Sequence, residues 1–120
     1  RRAQALLNDH AKAVRGSTVV VYGLAYKANT SDARETPARP VIDQLLGLGA
    51  DVVVVDPHVS PEQFPLGVRQ GNCSVADLTG ADLAVYLVDH DDFDGAAIVA
   101  TGVPVLDCRR ALSGPNVQAL

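Results

Sequence analysis

Four short runs of consecutive apolar residues, rich in valine, recur along the sequence and are separated by longer mixed segments. They occupy residues 17–22, 51–55, 83–88 and 103–106, the first two after leading polar residues. Runs without alternation are typical of strands buried on both faces of a parallel sheet. Because parallel neighbours need a crossover, usually a helix, the pattern predicts right-handed βαβ units in a doubly wound, mostly parallel α/β sheet.

The chain length limits how many such sheets can form. With 120 residues, the sequence can build one compact, Rossmann-like domain but not two. Apolar residues at helical spacing over positions 3–14 predict an amphipathic helix that leads into this domain. We therefore assign residues 1–15 to a linker helix and residues 16–120 to the domain itself.

The mixed segments between the apolar runs show helical signals. Thr36 can cap a helix, Pro37 suits its first turn, and Gly49 can end it. Shorter helices are predicted over residues 75–78 and 93–100. Strand and helix thus alternate along the chain, as a doubly wound sheet requires.

Residues 23–35 form a thirteen-residue connection after the first predicted strand. Ligands of doubly wound sheets bind beyond the carboxyl ends of the strands, so extra length there predicts function. The segment Gly23-Leu24-Ala25-Tyr26-Lys27-Ala28 lacks the GxGxxG dinucleotide fingerprint, and the P-loop pattern is absent too. Phosphate recognition by this loop would therefore depend on charged side chains.

Four cationic side chains follow the predicted strands: Lys27, Arg34, Arg109 and Arg110. Lysine offers a mobile point charge and arginine a planar fork that matches phosphate oxygens. Gathered at one sheet edge, they would form an anion site suited to a sugar diphosphate, with Asp32 and Glu35 orienting the cations. The alternative interpretation is a solvated, charged loop face.

Charge and hydropathy exclude several function classes. The net charge of −4 and the pI of about 5.1 provide no basic field for a nucleic acid. No apolar run is long enough for a membrane span and the first residues do not resemble a signal peptide, so we expect a cytoplasmic protein. Cys73 and Cys108 lack metal-ligand spacing and are expected to be reduced.

A metal site is also not expected. Asp89, His90, Asp91 and Asp92 are consecutive, and four consecutive residues cannot all converge on one ion. Some of them are instead predicted to cap the helix that begins near Phe93. His58, after the second strand, is either a ligand or a turn residue.

These residues together resemble a known family. Gly23 to Lys27, Asn29, Asp32 and Arg34 to Ala38 are similar to the signature of the C-terminal domain of UDP-glucose and GDP-mannose dehydrogenases. The similarity continues through Asp56-Pro57-His58, residues 89–93 and Asp107-Cys108-Arg109. Residues 87–94 look more like the branch that acts on UDP-N-acetylhexosamines.

The resemblance implies a function that the chain performs only as part of a longer enzyme. Such an enzyme oxidises the C6 alcohol of a UDP-sugar to a carboxylate in two hydride transfers to NAD, through a covalent adduct on a cysteine. It would be a homodimer or a higher homo-oligomer. The cysteine and the NAD fingerprint domain are expected upstream, so no catalytic residue is expected within this chain.

By the same resemblance, particular residues acquire expected roles. Lys27 and either Arg109 or Arg110 would contact the UDP-sugar, and Arg34 would reach NAD. The alternative function is a free-standing Rossmann-like nucleotide-binding or interaction module without catalysis. The absence of methionine from the sequence favours the fragment of a longer enzyme.

Overall fold

A computed structural model describes residues 13–34 and 36–120. Its strands are β1 (Thr18–Tyr22), β2 (Asp51–Val55), β3 (Arg69–Gln70), β4 (Leu83–Tyr86), β5 (Val105–Asp107) and β6 (Val117–Ala119). They form one sheet in the order β3-β2-β1-β4-β5-β6, and every neighbouring pair is parallel. The predicted doubly wound, parallel, Rossmann-like single domain is confirmed.

The four predicted strands are β1, β2, β4 and β5, and their bounds differ from the predictions by at most two residues. The edge strands β3 and β6 were not predicted. Both are short, and β3 consists of two exposed polar residues. An edge strand has a neighbouring strand on one side only, so its side chains can remain exposed and do not have to form an apolar run.

The helices lie between the strands as predicted. They are α1 (Ala38–Gly47) and α2 (Gly95–Ala100), and two single 3₁₀ turns cover Pro61–Gln63 and Val75–Leu78. At the start of α1 the Thr36 hydroxyl accepts the Ala38 N–H at 3.2 Å, and Gly49, two residues beyond the helix, has a φ of +91°. That conformation favours glycine and ends the helix.

The N-terminal helix predicted over residues 3–14 falls almost entirely outside the described residues. Within the described part, Val14 is buried against the core and Ser17 donates its hydroxyl to the Ala13 carbonyl. The boundary between a linker at residues 1–15 and a domain at residues 16–120 therefore remains a prediction.

Two hydrophobic cores lie on opposite faces of the sheet. Val19 and Val21 of β1 share one core with Ile42 of α1. The alternate residues of β1, Val20 and Tyr22, face the second core, which contains Ile98 of α2. Covering both faces explains why the central strands are apolar on consecutive positions, and it leaves the carboxyl ends of the strands as the open edge.

Candidate functional site at the carboxyl edge of the sheet

The sheet order places a topological switch point between β1 and β4. From β1 the chain moves outward to β2 and β3, and then returns to β4 on the other side of β1. A cleft of about 160 Å³ lies beside this point, where ligands of open α/β sheets bind. Its walls are Ala25, Tyr26, Thr36, Pro37, Ala38, Leu87, Val88, Cys108 and Arg109.

Gly23 brings the loop after β1 tightly across the end of β4. Its N–H donates to the Val55 carbonyl at 2.9 Å, and its φ is +105°. A Cβ at this position would lie 2.4 Å from the Cβ of Val88. The position therefore needs glycine both for its backbone conformation and for the close contact.

Asp56 directly follows β2 and organises the start of the loop. One carboxylate oxygen, Oδ2, accepts the N–H groups of Leu24 and Ala25, each at 2.8 Å. The same oxygen lies 2.9 Å from Nε2 of His90. The other oxygen, Oδ1, accepts the His58 N–H at 2.9 Å. A single buried side chain thus joins segments that follow β1, β2 and β4.

These bonds determine the charge state of Asp56. Burial alone would raise the pKa of its carboxyl group, but hydrogen bonds from His90, Ala25, Leu24 and His58 outweigh that effect and lower it. Bonds donated to a carboxylate stabilise its ionised form. Asp56 is therefore a buried anion that structures the backbone.

His90 links Asp56 to the far end of the same loop. Its side chain is fully buried, and Nδ1 accepts the N–H of Asn29 at 2.8 Å. Because Nδ1 accepts, the ring proton is on Nε2, which donates to Asp56. Asn29 has a φ of +60°, which asparagine tolerates, and its side-chain oxygen accepts the Asp91 N–H at 3.0 Å.

The rest of the acidic stretch serves local structure. Asp89 accepts the Tyr86 hydroxyl at 2.6 Å, and Asp92 lies 2.6 Å from Nε2 of His58. His58 also packs on the ring of His90, with centroids 4.5 Å apart. Among the described residues, no group of three or more His, Cys, Asp or Glu side chains is arranged to hold a metal ion.

The prediction that residues 89–92 cap the helix near Phe93 is wrong. Asp94 occupies the N-cap of α2, and its side chain accepts the Ala97 N–H at 3.1 Å. Asp89, Asp91 and Asp92 instead form hydrogen bonds around the turn that contains His90.

His58 lies in the turn that follows β2. A turn residue is one of the two roles considered for it.

Lys27 lies at the exposed tip of the loop, between the residues bonded to Asp56 and the residue bonded to His90. The Lys27 carbonyl accepts the Thr30 hydroxyl at 2.9 Å. The Tyr26 N–H donates to the Asp32 carbonyl at 2.6 Å, and this hydrogen bond closes residues 26–32 into a loop. Lys27 directly follows the donor residue, and Arg34 lies two residues after the acceptor residue.

Arg34 is exposed and oriented by Asp32, as the sequence predicts. Its Nε and Nη2 atoms donate to the two oxygens of the Asp32 carboxylate at 3.1 and 3.3 Å. These bonds lower the pKa of Asp32 and raise that of Arg34. Glu35, the other predicted orienting residue, lies outside the described residues.

The two arginines after β5 have different surroundings. Asp107 is buried and accepts the N–H groups of Arg109 at 2.9 Å and Leu112 at 2.7 Å, which fixes the turn. Arg109 is exposed and lines the cleft. Arg110 has a φ of +55°, and its Nε donates to the Leu120 carbonyl at 3.0 Å. Arg109 therefore lines the cleft, whereas Arg110 is bonded to the C-terminal strand region.

Both cysteines are free and lie on opposite faces of the sheet. Cys108 lines the cleft, and Cys73 precedes the 3₁₀ turn Val75–Leu78. Burial raises the pKa of both thiols. Both are therefore weakly nucleophilic at neutral pH.

The sheet order, the long loop after β1 and the cleft at the switch point define a nucleotide-binding type of α/β domain. Residues 20–114 match the family described as the UDP-glucose/GDP-mannose dehydrogenase family, UDP binding domain. The chain belongs to this family, as the sequence motifs indicate.

Curated relatives are dehydrogenases of nucleotide sugars. The chain is 40% identical over 75 residues to a UDP-N-acetyl-D-mannosamine dehydrogenase of Methanococcus maripaludis, covering 62% of this chain and 16% of that protein. It is 39% identical over 88 residues to an NDP-N-acetyl-D-galactosaminuronic acid dehydrogenase of Ralstonia solanacearum, covering 69% and 20%. The chain thus spans a fifth or less of the length of these relatives.

Solved structures agree over nearly the whole chain. The NDP-N-acetyl-D-galactosaminuronic acid dehydrogenase of Methanosarcina mazei aligns with a TM-score of 0.77 at 27% identity, covering 97% of this chain and 26% of that one. A UDP-glucose dehydrogenase of Pyrobaculum islandicum gives the same TM-score and identity, covering 98% and 27%. In the described part of this chain, no helix has the length and apolar character needed to cross a membrane.

Proposed function

We propose that this chain is the C-terminal substrate-binding domain of an NAD-dependent nucleotide-sugar 6-dehydrogenase, which oxidises the C6 alcohol of a UDP-sugar to a uronic acid. The observation that carries the proposal is the cleft at the switch point, walled by the loop after β1 and by Arg109. The family match over residues 20–114 supports a nucleotide diphosphate as its ligand.

The side chains at the cleft suit a diphosphate. Lys27 contributes an exposed positive charge at the tip of the loop whose residues Ala25 and Tyr26 line the cleft, and Arg109, which lines the cleft itself, contributes a planar donor fork. Arg110 contributes less in this proposal, because its Nε is bonded to the Leu120 carbonyl. The chain as a whole is acidic, so a local cationic site would attract the anion selectively.

NAD is the proposed cofactor, and this chain fits only a minor part in holding it. The segment from Gly23 to Pro37 separates β1 from α1 and contains a single glycine, so it does not form the glycine-rich turn that binds a pyrophosphate at a helix N-terminus. Arg34, which is exposed and lies two residues before the cleft-lining Thr36, is the residue that would reach the cofactor. When bound, NAD supplies the hydride acceptor, and the catalytic cysteine would lie in a preceding domain.

Titration of the full-length protein with UDP tests the binding role. We expect Lys27→Ala and Arg109→Ala each to weaken UDP binding about tenfold or more, as charge-assisted bonds to a phosphate are lost. Arg110→Ala, its neighbour in sequence, and Arg69→Ala, whose guanidinium pairs with Asp51, are the matched controls. Wild-type affinity in both Lys27→Ala and Arg109→Ala would refute the assignment.

Activity and assembly complete the proposal. NADH formation from UDP-glucose, UDP-N-acetylglucosamine, UDP-N-acetylmannosamine and GDP-mannose, compared side by side, identifies the sugar. We propose a UDP-N-acetylhexosamine as substrate and a cytoplasmic homodimer or higher homo-oligomer as the full-length enzyme. Light scattering of the purified protein measures its assembly.

A further inference from the structure

We infer that the buried Asp56–His90 pair positions the loop that carries Lys27, and so sets the affinity of the cleft for a nucleotide diphosphate. The inference rests on the proposed function, because it concerns the same loop. It assigns a positioning role to two side chains that line neither the cleft nor the loop tip.

The pair holds the loop on both sides of Lys27. Asp56 accepts the N–H groups of Leu24 and Ala25, and Nδ1 of His90 accepts the N–H of Asn29. The attachment points nearest to Lys27 are Ala25, two residues before it, and Asn29, two residues after it. The Lys27 backbone is thus confined between two anchors joined by one hydrogen bond.

Burial makes these anchors rigid. The side chains of Asp56 and His90 are both 0% exposed. The ring of His90 also packs against those of His58 and Phe93, with centroid distances of 4.5 and 5.2 Å. A loop held in its binding conformation loses less entropy when the ligand arrives, and this preorganisation strengthens binding.

The two ring nitrogens of His90 have separable tasks. Nε2 donates to Asp56 and joins the segments after β4 and β2, whereas Nδ1 receives the loop. A glutamine amide can reproduce the Nε2 donor, and an asparagine carbonyl oxygen can reproduce the Nδ1 acceptor. The variants His90→Gln and His90→Asn therefore remove one task each.

The experiment measures UDP affinity by calorimetry and the thermal unfolding midpoint in the full-length protein. We expect His90→Gln to bind UDP about tenfold more weakly, the effect of one lost hydrogen bond on the loop. We expect His90→Asn to recover most of the affinity at low temperature while unfolding at a lower temperature. Ile98→Val, in the core on the α2 side of the sheet, is the control that lowers stability without touching the loop.

Several outcomes would overturn the inference. Wild-type affinity in His90→Gln would do so, as would affinity that simply follows the unfolding midpoint across His90→Gln, His90→Asn and Ile98→Val. Failure of the proposed function looks different, because then wild-type protein does not bind UDP or Lys27→Ala binds it equally well.

A measurement on the wild-type protein needs no variant to fold. If the loop is held before ligand arrives, the peptide containing the Asn29 amide is protected from hydrogen–deuterium exchange in the absence of UDP. Exchange at the rate of an unprotected amide in the free protein, together with normal UDP binding, would overturn the inference.

Discussion

Nε2 of His90 lies 2.9 Å from Oδ2 of Asp56, and both side chains are fully buried although the residues are 34 positions apart in sequence. The contact joins the segments that follow β2 and β4, on either side of β1. A buried carboxylate with this many donors supports the fold only while it is ionised. Its protonation state therefore links the stability of the domain to pH.

Asp56→Asn should lower stability and change its response to acid. The pKa of Asp56 is lowered in the folded protein, so its stabilising effect is fully present above the unfolded carboxyl pKa, near 4, and is lost as pH falls through the lower folded pKa. We expect the variant to lose about 3 kcal/mol of unfolding free energy at pH 7, because an amide cannot accept all the donors. The variant should also lose less stability than the wild type between pH 4 and pH 2.

Urea unfolding at a series of pH values measures both effects. Asp43→Asn is the control, because Asp43 forms only an exposed pair with Arg39 at 3.6 Å, and such pairs contribute less than about 1 kcal/mol. Equal acid sensitivity in wild type and Asp56→Asn would contradict the role of the Asp56 carboxylate.

Gly23→Ala should be destabilising at the switch point. The added Cβ would lie 2.4 Å from the Cβ of Val88, at a φ of +105°, and overpacking of this kind costs about 1–3 kcal/mol. Gly47→Ala is the matched control, because Gly47 ends α1 with open space around its missing side chain. We expect that control to be neutral or to stabilise by up to about 1 kcal/mol, since alanine is the better helix former. Chemical unfolding of both variants checks the opposite signs.

The fold was predictable because consecutive apolar residues report burial on both sheet faces directly. The residues from Val19 to Tyr22 and from Val52 to Val55 are all buried. Their consecutive apolar pattern indicates strands that are covered on both faces. Strands β3 and β6 were not predicted, because their exposed or half-buried residues do not form a run of consecutive apolar residues. Their pairing depends on β2 and β5 already being in place.

The candidate site was only partly predictable. Charge and position drew attention to four cationic residues whose types suit a phosphate, namely Lys27, Arg34, Arg109 and Arg110. Neither Asp56, which directly follows the second apolar run, nor His90, which lies within the acidic run, is predicted to position the loop, because that role depends on a contact between residues distant in sequence. The available signals were a carboxylate placed directly after a buried strand and one imidazole in a run with three aspartates.

Arg34→Ala should weaken the binding of the cofactor without lowering the stability of the fold. Its guanidinium is 84% exposed and bonded only to Asp32 among the described contacts, so we expect the unfolding free energy to change by less than about 0.5 kcal/mol. In the full-length enzyme, the KM for NAD should rise several-fold while the Kd for UDP stays near that of the wild type. Steady-state kinetics and calorimetry separate the two quantities.

Arg34→Lys gives the sharper comparison, because it keeps the charge but loses the planar fork. A small rise in the KM for NAD in Arg34→Lys and a larger rise in Arg34→Ala would indicate bidentate contact between Arg34 and the cofactor. An unchanged KM for NAD together with a weakened Kd for UDP would move Arg34 to the substrate side.

Cys108 should report occupancy of the cleft. It lines the cleft beside Arg109, whereas Cys73 packs against the core on the opposite face of the sheet. Burial raises the pKa of both thiols, so both should react slowly with iodoacetamide at pH 8, where the thiolate is the reactive form. Saturating UDP should slow the alkylation of Cys108 further and leave Cys73 unchanged, as followed by peptide mass spectrometry. Because Cys73 experiences the same reagent in the same sample, equal protection of both thiols would indicate a general tightening of the domain and would contradict ligand binding in this cleft.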